Sequence, residues 1–244
     1  MNAIKILFRR ELSSFFSTPV AYVFIIIFLI MSGVFTFYLG NFYERGQADL
    51  LPFFNFHPWL YLFLVPAMAM RLWAEERKSG TIELLMTLPI TTMQAMVAKF
   101  LAAWSVLGLA LILTFPLWIT VNYLGNPDNG VIFAAYLGSW LMSGAFLAIG
   151  ICMSAMTKNQ VIAFILTVVV CFLFVLSGTS VVLQAFKGWV PSIVLDTIAS
   201  LSFIEHFDAM AKGVISLKDV GYFMILIVSW LYAGLVLIEQ KKAQ

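Results

Sequence analysis

Two short stretches hold most of the side chains that could do chemistry. In the first, Glu75, Glu76, Arg77 and Lys78 set both signs of charge side by side, and Gly80 and Thr81 lead into Ile82, Glu83, Leu85, Met86 and Pro89. The second is Glu205, His206 and Asp208. What they offer is charge pairing and titration rather than bond breaking. Ile82, Leu85 and Met86, at i, i+3, i+4 spacing, add an apolar anchor beside the first charge cluster. In the second, His206 is the residue type that titrates near neutrality, so the trio reads either as an outer gate or headgroup contact, or as an exposed polar edge. No catalytic constellation is seen, since His57 and His206 have no evident nucleophile partner. Cys152 and Cys171 lie in apolar runs without a CxxC or Cys/His cluster. They are expected to be inert buried thiols, and no metal site is expected. No G-x-x-x-x-G-K-[ST] phosphate loop occurs, and with few residues after the last apolar run no nucleotide-binding domain is expected there.

The element carrying the first cluster is a short helix. Thr81 can cap it, Glu83 suits the dipole of its first turn, and Pro89 ends it. Thr91 and Gln94 then form a T-x-x-Q capping box for the next long helix. A helix of about 8 residues is roughly 12 Å long and is not stable alone in water. The 71–92 segment is therefore expected to dock into another protein. The plainer reading is that its charges stop a span and its apolar face lies back on the membrane.

The surroundings are lipid-soluble. Of 244 residues, 62% are hydrophobic and 11% charged, with a mean hydropathy of +0.99. Soluble domains run near 25% charged, so the sequence predicts an all-α integral membrane protein forming one domain over 1–244. A dispersed net charge of +2 excludes nucleic acid as a partner class. Six spans are predicted near 20–40, 55–73, 97–124, 131–156, 160–183 and 220–238, each close to the roughly 20 residues that cross a hydrocarbon core. Ahead of them, residues 1–18 read as an amphipathic interfacial helix, with Lys5, Arg9 and Arg10 toward headgroups and Ile4, Leu7, Phe8, Leu12 and Phe15 on the other side. No cleavable signal is expected. Placing the N-terminus inside puts Lys5, Arg9, Arg10, Arg71, Arg77, Lys78, Lys99, Lys158, Lys241 and Lys242 in the cytoplasm, against Arg45, Lys187, Lys212 and Lys218 outside. That positive-inside bias sets both termini, the 71–92 segment and the 157–160 turn on the cytoplasmic face. Within 184–219, Trp189–Ile204 is apolar but, at about 16 residues and with Pro191 and Asp196 in it, short for a seventh span, so the segment reads as an outer re-entrant helical hairpin.

Ala135, Ser139 and Ser143, with Gly144 and Ala148, give the fourth span faces for close helix packing. Pro116 is expected to kink the third span. Trp59, Tyr61, Trp73, Trp118, Tyr123 and Trp189 are placed as interfacial anchors. The spans read as long and mostly unbroken, without ionisable side chains at their middles, which disfavours an ion-coupled carrier or an independent channel. Energy for any transport then has to come from a partner.

The run RRELSSFFSTPVAYV (9–23), then EERKSGTIELLMTLPIT (75–91) leading into QAMVAKFLA (94–102), and SFIEHFDAMAKGVISLKDVGYF (202–223) resemble the permease subunits of ATP-binding-cassette exporters. The nearest likeness is the six-span, type V class and its gliding-motility-like branch. That resemblance implies a bacterial inner-membrane permease, not itself an enzyme, working with a second permease copy or homologue. Separate ATPase subunits would carry ATP and Mg, and this chain would hold no cofactor. It further implies that Glu75–Pro89 is a coupling helix, with Lys158 in a smaller second contact, 1–18 an elbow helix, and 184–219 an outer closure. A periplasmic accessory protein is a further implied partner. The alternative is a non-transporting scaffold that passes ATPase-driven motion to a cell-envelope partner.

Overall fold

The computed structural model describes residues 3–81, 90–179, 182–184 and 191–242. Among these every regular element is a helix: α1 (Ala3–Ser17), α2 (Val20–Val34, continued by a π-helical turn Phe35–Leu39), α3 (Leu51–Asn55), α4 (His57–Ala69), α5 (Arg71–Ser79), α6 (Thr92–Ile112), α7 (Phe115–Leu124), α8 (Asn129–Met156), α9 (Gln160–Leu176), α10 (Ser192–Ala199), α11 (Phe203–Ala211) and α12 (Leu217–Lys242). Local chemistry sets several of the starts. Both halves of the Thr91/Gln94 capping box form at α6. Asp128 accepts from the Gly130 and Val131 amides at α8, and Asn159 from that of Val161 at α9.

Four stretches are long and apolar enough to cross a membrane: Val20–Leu39, Thr92–Leu124, Asn129–Met156 and Leu217–Gln240. Gln160–Leu176 is apolar but has 17 residues. The expectation of mostly unbroken spans is corrected in two of these regions. The 55–73 stretch is divided among α3, α4 and α5, with α4 preceded by Phe56 and followed by Met70. The third span is interrupted at Leu113 and Thr114. There Pro116 sits in the first turn of α7, where it cannot donate to Ile112, and Thr114 Oγ1 donates instead to the Leu111 carbonyl at 2.6 Å. In the 184–219 region, α10 and α11 are two short helices ahead of α12, and Trp189 lies outside the described residues.

Helix α8 is the mast of the bundle. Every residue from Leu141 to Ala155 is buried, and α4, α5, α6, α9, α11 and α12 all pack on it. The small residues make that possible. A Cβ on Gly150 would come within 2.4 Å of Ala69 Cβ in α4, and one on Gly144 within 2.9 Å of Trp104 Nε1 in α6. Trp104 in turn stacks on Trp140 with ring centroids 4.0 Å apart and donates Nε1 to the Trp140 carbonyl. The small-residue faces of the fourth span are thus filled by neighbours within the same chain. Two of the expected interfacial aromatics are instead core: Tyr61 is 2% exposed and Trp73 fully buried. The Tyr61 hydroxyl has a hydrogen-bond partner inside the protein, described next.

Candidate functional site

Helix α5 begins one residue after α4 ends, and past this break two of its early amides find their acceptor outside the helix. Met70, at the junction, offers no side-chain cap. The cap comes from another helix. Ser154 of α8 accepts from the Trp73 and Ala74 amides at 3.1 and 3.0 Å and donates to the Met70 carbonyl at 2.8 Å. Three residues further on, the Arg77 guanidinium donates to the Ala155 carbonyl at 2.6 Å, placing a cation on the C-terminal end of α8. Gly80 closes α5 in the left-handed conformation, φ 75°, which a side chain would strain. Ser79 and Thr81 hydroxyls hydrogen-bond to each other at 2.9 Å there. Ile82, Glu83, Leu85, Met86 and Pro89 lie outside the described residues.

The other face of α5 meets a buried cation. Lys99, two turns into α6, is 3% exposed and its ammonium lies 2.7 Å from Glu76 Oε1 and 3.1 Å from Glu11 Oε2 of α1. It also sits 5.4 Å from the centroid of the Trp73 ring. Burial raises the Glu11 carboxyl, but Lys99 and the neighbouring Arg10 outweigh it and hold the group below the usual carboxylate range. One ammonium therefore joins three elements that are remote in sequence: α1, α5 and α6. Lys99 was expected at the inner edge of a span. It lies two turns into α6 and is buried, where a charge survives only when paired.

The remaining predicted side chains here stay outward. Lys5, Arg9 and Arg10 are exposed on α1, Lys78 is exposed on α5, and Lys158 is exposed in the turn after α8. Glu75 is exposed and pairs with Arg71 one turn earlier at 3.1 Å. Between α1 and α5 an open cleft of about 270 Å³ is lined by Glu11, Arg71, Glu75, Glu76 and Lys99 on its polar side.

The second predicted cluster does not converge. Glu205 is exposed and Asp208 half-buried, whereas His206 is 2% exposed and turned into the protein. For His206 the reading as an exposed polar edge is corrected. Its Nδ1 lies 2.6 Å from Asp219 Oδ1, its Nε2 2.9 Å from the Ser200 carbonyl, and its ring stacks on Tyr222 at 3.9 Å. Both ring nitrogens thus face oxygen atoms that can accept. Tyr222 donates to the Leu201 carbonyl, and Ser216 to Asp219 Oδ2 at 2.6 Å. The histidine thus ties the 200–202 turn and α11 to the start of α12.

His57 also has partners that its sequence neighbours did not reveal. Its Nδ1 is 2.6 Å from Ser139 Oγ, and the Tyr61 hydroxyl is 2.7 Å from the same oxygen. All three are buried among Phe28, Phe53 and Phe54. Among the described residues no carboxylate joins this cluster, so it works as a polar clasp in the core rather than an activated serine.

Cys152 and Cys171 are buried free thiols, and no group of three potential ligands for a metal is found among the described residues. Lys99, Glu11, Trp73 and Ser154 are the site residues that sequence reasoning missed. Lys99 carried a signal, being the one charge in the apolar run 92–124. The family described as ABC-2 family transporter protein matches residues 7–242. No individual curated protein matches the chain significantly.

Proposed function

Because the chain belongs to the ABC-2 transporter family, we propose that it is the permease of an exporter powered by separate ATPase subunits that carry the ATP and Mg. Two permeases, identical or paired with a homologue, enclose the path in a bacterial inner membrane, with both termini cytoplasmic. The chain crosses six times, α4 supplying the second crossing and α9 the fifth, and 184–219 closes the path on the outer face. Residues 75–89 are the coupling helix, α1 is the elbow, and Lys158 marks the smaller second contact. Within that family we assign the chain to the gliding-motility-like branch on the motifs at 9–23, 75–91 and 202–223. Of the outer trio, His206 is the member positioned to hold a gate, because it fastens α11 to α12.

The observation that carries this reading is the double anchorage of α5. Lys99 binds it to α1 and α6, and Ser154 with Arg77 binds it to the end of α8. A push delivered to 82–89 therefore cannot be absorbed by α5 alone. It passes to the elbow, to the third crossing and to the central mast, which is what a switch between two packed arrangements requires. A segment that merely stopped a span would need neither anchorage.

The test is co-purification of the ATPase with the chain. Leu85→Asp places a charge on the apolar anchor and is expected to release the ATPase while membrane insertion stays at the native level. ATPase retained in full by this variant, and by Thr81→Pro, removes the coupling assignment.

A further inference from the structure

The cleft between α1 and α5 also has an apolar lining that the coupling role does not use. Phe15, Val20, Met68 and Leu72 line it alongside the charged residues. Val20 is the first residue of α2 and Met68 lies next to the last residue of α4, so both neighbouring apolar helices end at the cleft. In the orientation proposed above, an amphipathic α1 and two span ends define the level of the lipid headgroups. A pocket at that depth lined by both charged and apolar side chains matches a phospholipid better than a water-soluble metabolite.

The charges narrow the choice of headgroup. The lining holds three carboxylates, Glu11, Glu75 and Glu76, against two cations, Arg71 and Lys99. Lys99 is occupied by Glu11 and Glu76, and Glu76 Oε2 is buried without a hydrogen-bond partner. Ser14 and Thr18 hydroxyls also line the cleft, so its charged lining has an excess of negative charge rather than a want of donors. The exposed part of that lining is the Arg71–Glu75 pair, a cation and an anion one helical turn apart. A zwitterionic headgroup laid antiparallel to that pair sets its phosphate on Arg71 and its ammonium on Glu75. A primary ammonium donates hydrogen bonds to the carboxylates, whereas a trimethylated one cannot, and an anionic headgroup without an amine leaves the carboxylates unanswered.

We infer that this cleft is a binding site for an aminophospholipid of the phosphatidylethanolamine type, held by Arg71 and Glu75 as a resident lipid beside the coupling segment. The inference rests on the proposed membrane orientation, but it does not need the ATPase.

The experiment is native mass spectrometry of the full chain after reconstitution with equal amounts of dioleoyl phosphatidylethanolamine, phosphatidylcholine and phosphatidylglycerol. Phosphatidylethanolamine is expected to be retained about threefold over the other two, the size of effect that partly exposed ion pairs give. Glu75→Gln is expected to abolish that preference, and Arg71→Gln to lower retention of all three lipids together. Equal retention by the native chain, phosphatidylglycerol in the lead, or a preference untouched by Glu75→Gln overturns the site. So does displacement of the lipid by soluble phosphoethanolamine at matched concentration, which would make the acyl chains irrelevant. Expulsion of the lipid when the ATPase binds would mark the cleft as a protein surface and likewise overturn it. Leu85→Asp separates this idea from the function proposed above. Retention of the ATPase by that variant with the lipid preference intact sinks the coupling role alone.

Discussion

Lys99 shows how one side chain can carry more structural consequence than a whole loop. Its ammonium is buried, both of its acidic partners are mostly so, and each partner comes from a different helix. Breaking a buried pair from one side leaves the other charges uncompensated, which costs about 3–5 kcal/mol. Lys99→Met, close to isosteric but uncharged, is therefore expected to lower the thermal unfolding midpoint of the purified chain strongly, because Glu11 and Glu76 are left with no cation between them. Adding Glu76→Gln to that variant is expected to recover part of the loss by removing one stranded carboxylate. A single variant as stable as the native chain would show that the ammonium contributes little, and a double variant no better than the single one would show that Glu76 is not the charge left stranded.

At the scale of elements the contest is between what a helix says locally and what its neighbours demand. The caps were legible because their whole chemistry lies within four residues, as at Thr91 and Gln94. The small-residue faces of the fourth span were legible as contact surfaces for the same reason, but their partners were not. Ser139 meets His57 and Tyr61, about eighty residues earlier, and Ser154 caps a helix that begins at Arg71. No period or spacing in sequence encodes such a meeting. The same holds for Lys99, whose pairing with Glu11 crosses 88 positions. The interrupted 55–73 stretch was misjudged because hydropathy averages over a break, and the Ser154 hydroxyl that makes the Met70 junction tolerable comes from elsewhere. Gly150 tests how close α8 stands to α4. A methyl there would lie 2.4 Å from the methyl of Ala69 and 3.2 Å from Thr167 Cγ2. Neither neighbour is the free end of a long side chain, so Gly150→Ala must part the two helices. It is expected to cost about 1–3 kcal/mol, read as a lower unfolding midpoint, with Ala69→Gly restoring most of it. An unchanged midpoint in Gly150→Ala means that α4 and α8 are not in this contact.

For the whole molecule, the length of α8 fixes what lies at opposite ends. Its 28 residues span about 42 Å, more than the roughly 30 Å of a hydrocarbon core. Val131, at its start, packs against Gly213, while Arg77 holds Ala155 at its finish. Exposed Lys212 therefore belongs to one end of the bundle, and exposed Lys158, just past Ala155, to the other. The coupling role requires the Lys158 end to face the ATPase, and six crossings require Lys212 to face away from it. The two native cysteines are buried, so a single introduced thiol can report its own side without a background from them. In sealed, inside-out vesicles a membrane-impermeant maleimide is expected to label Lys158→Cys and Arg9→Cys at once, and Lys212→Cys only after the vesicles are opened. Labelling of Lys158→Cys and Lys212→Cys from the same side would mean that α8 does not cross, and with it would go the six-crossing arrangement and the inward-facing handle. Reversed sidedness would keep the crossings but point α5 away from any cytoplasmic motor. Only the first pattern leaves the Lys99 and Ser154 anchorages where ATPase-driven movement can reach them.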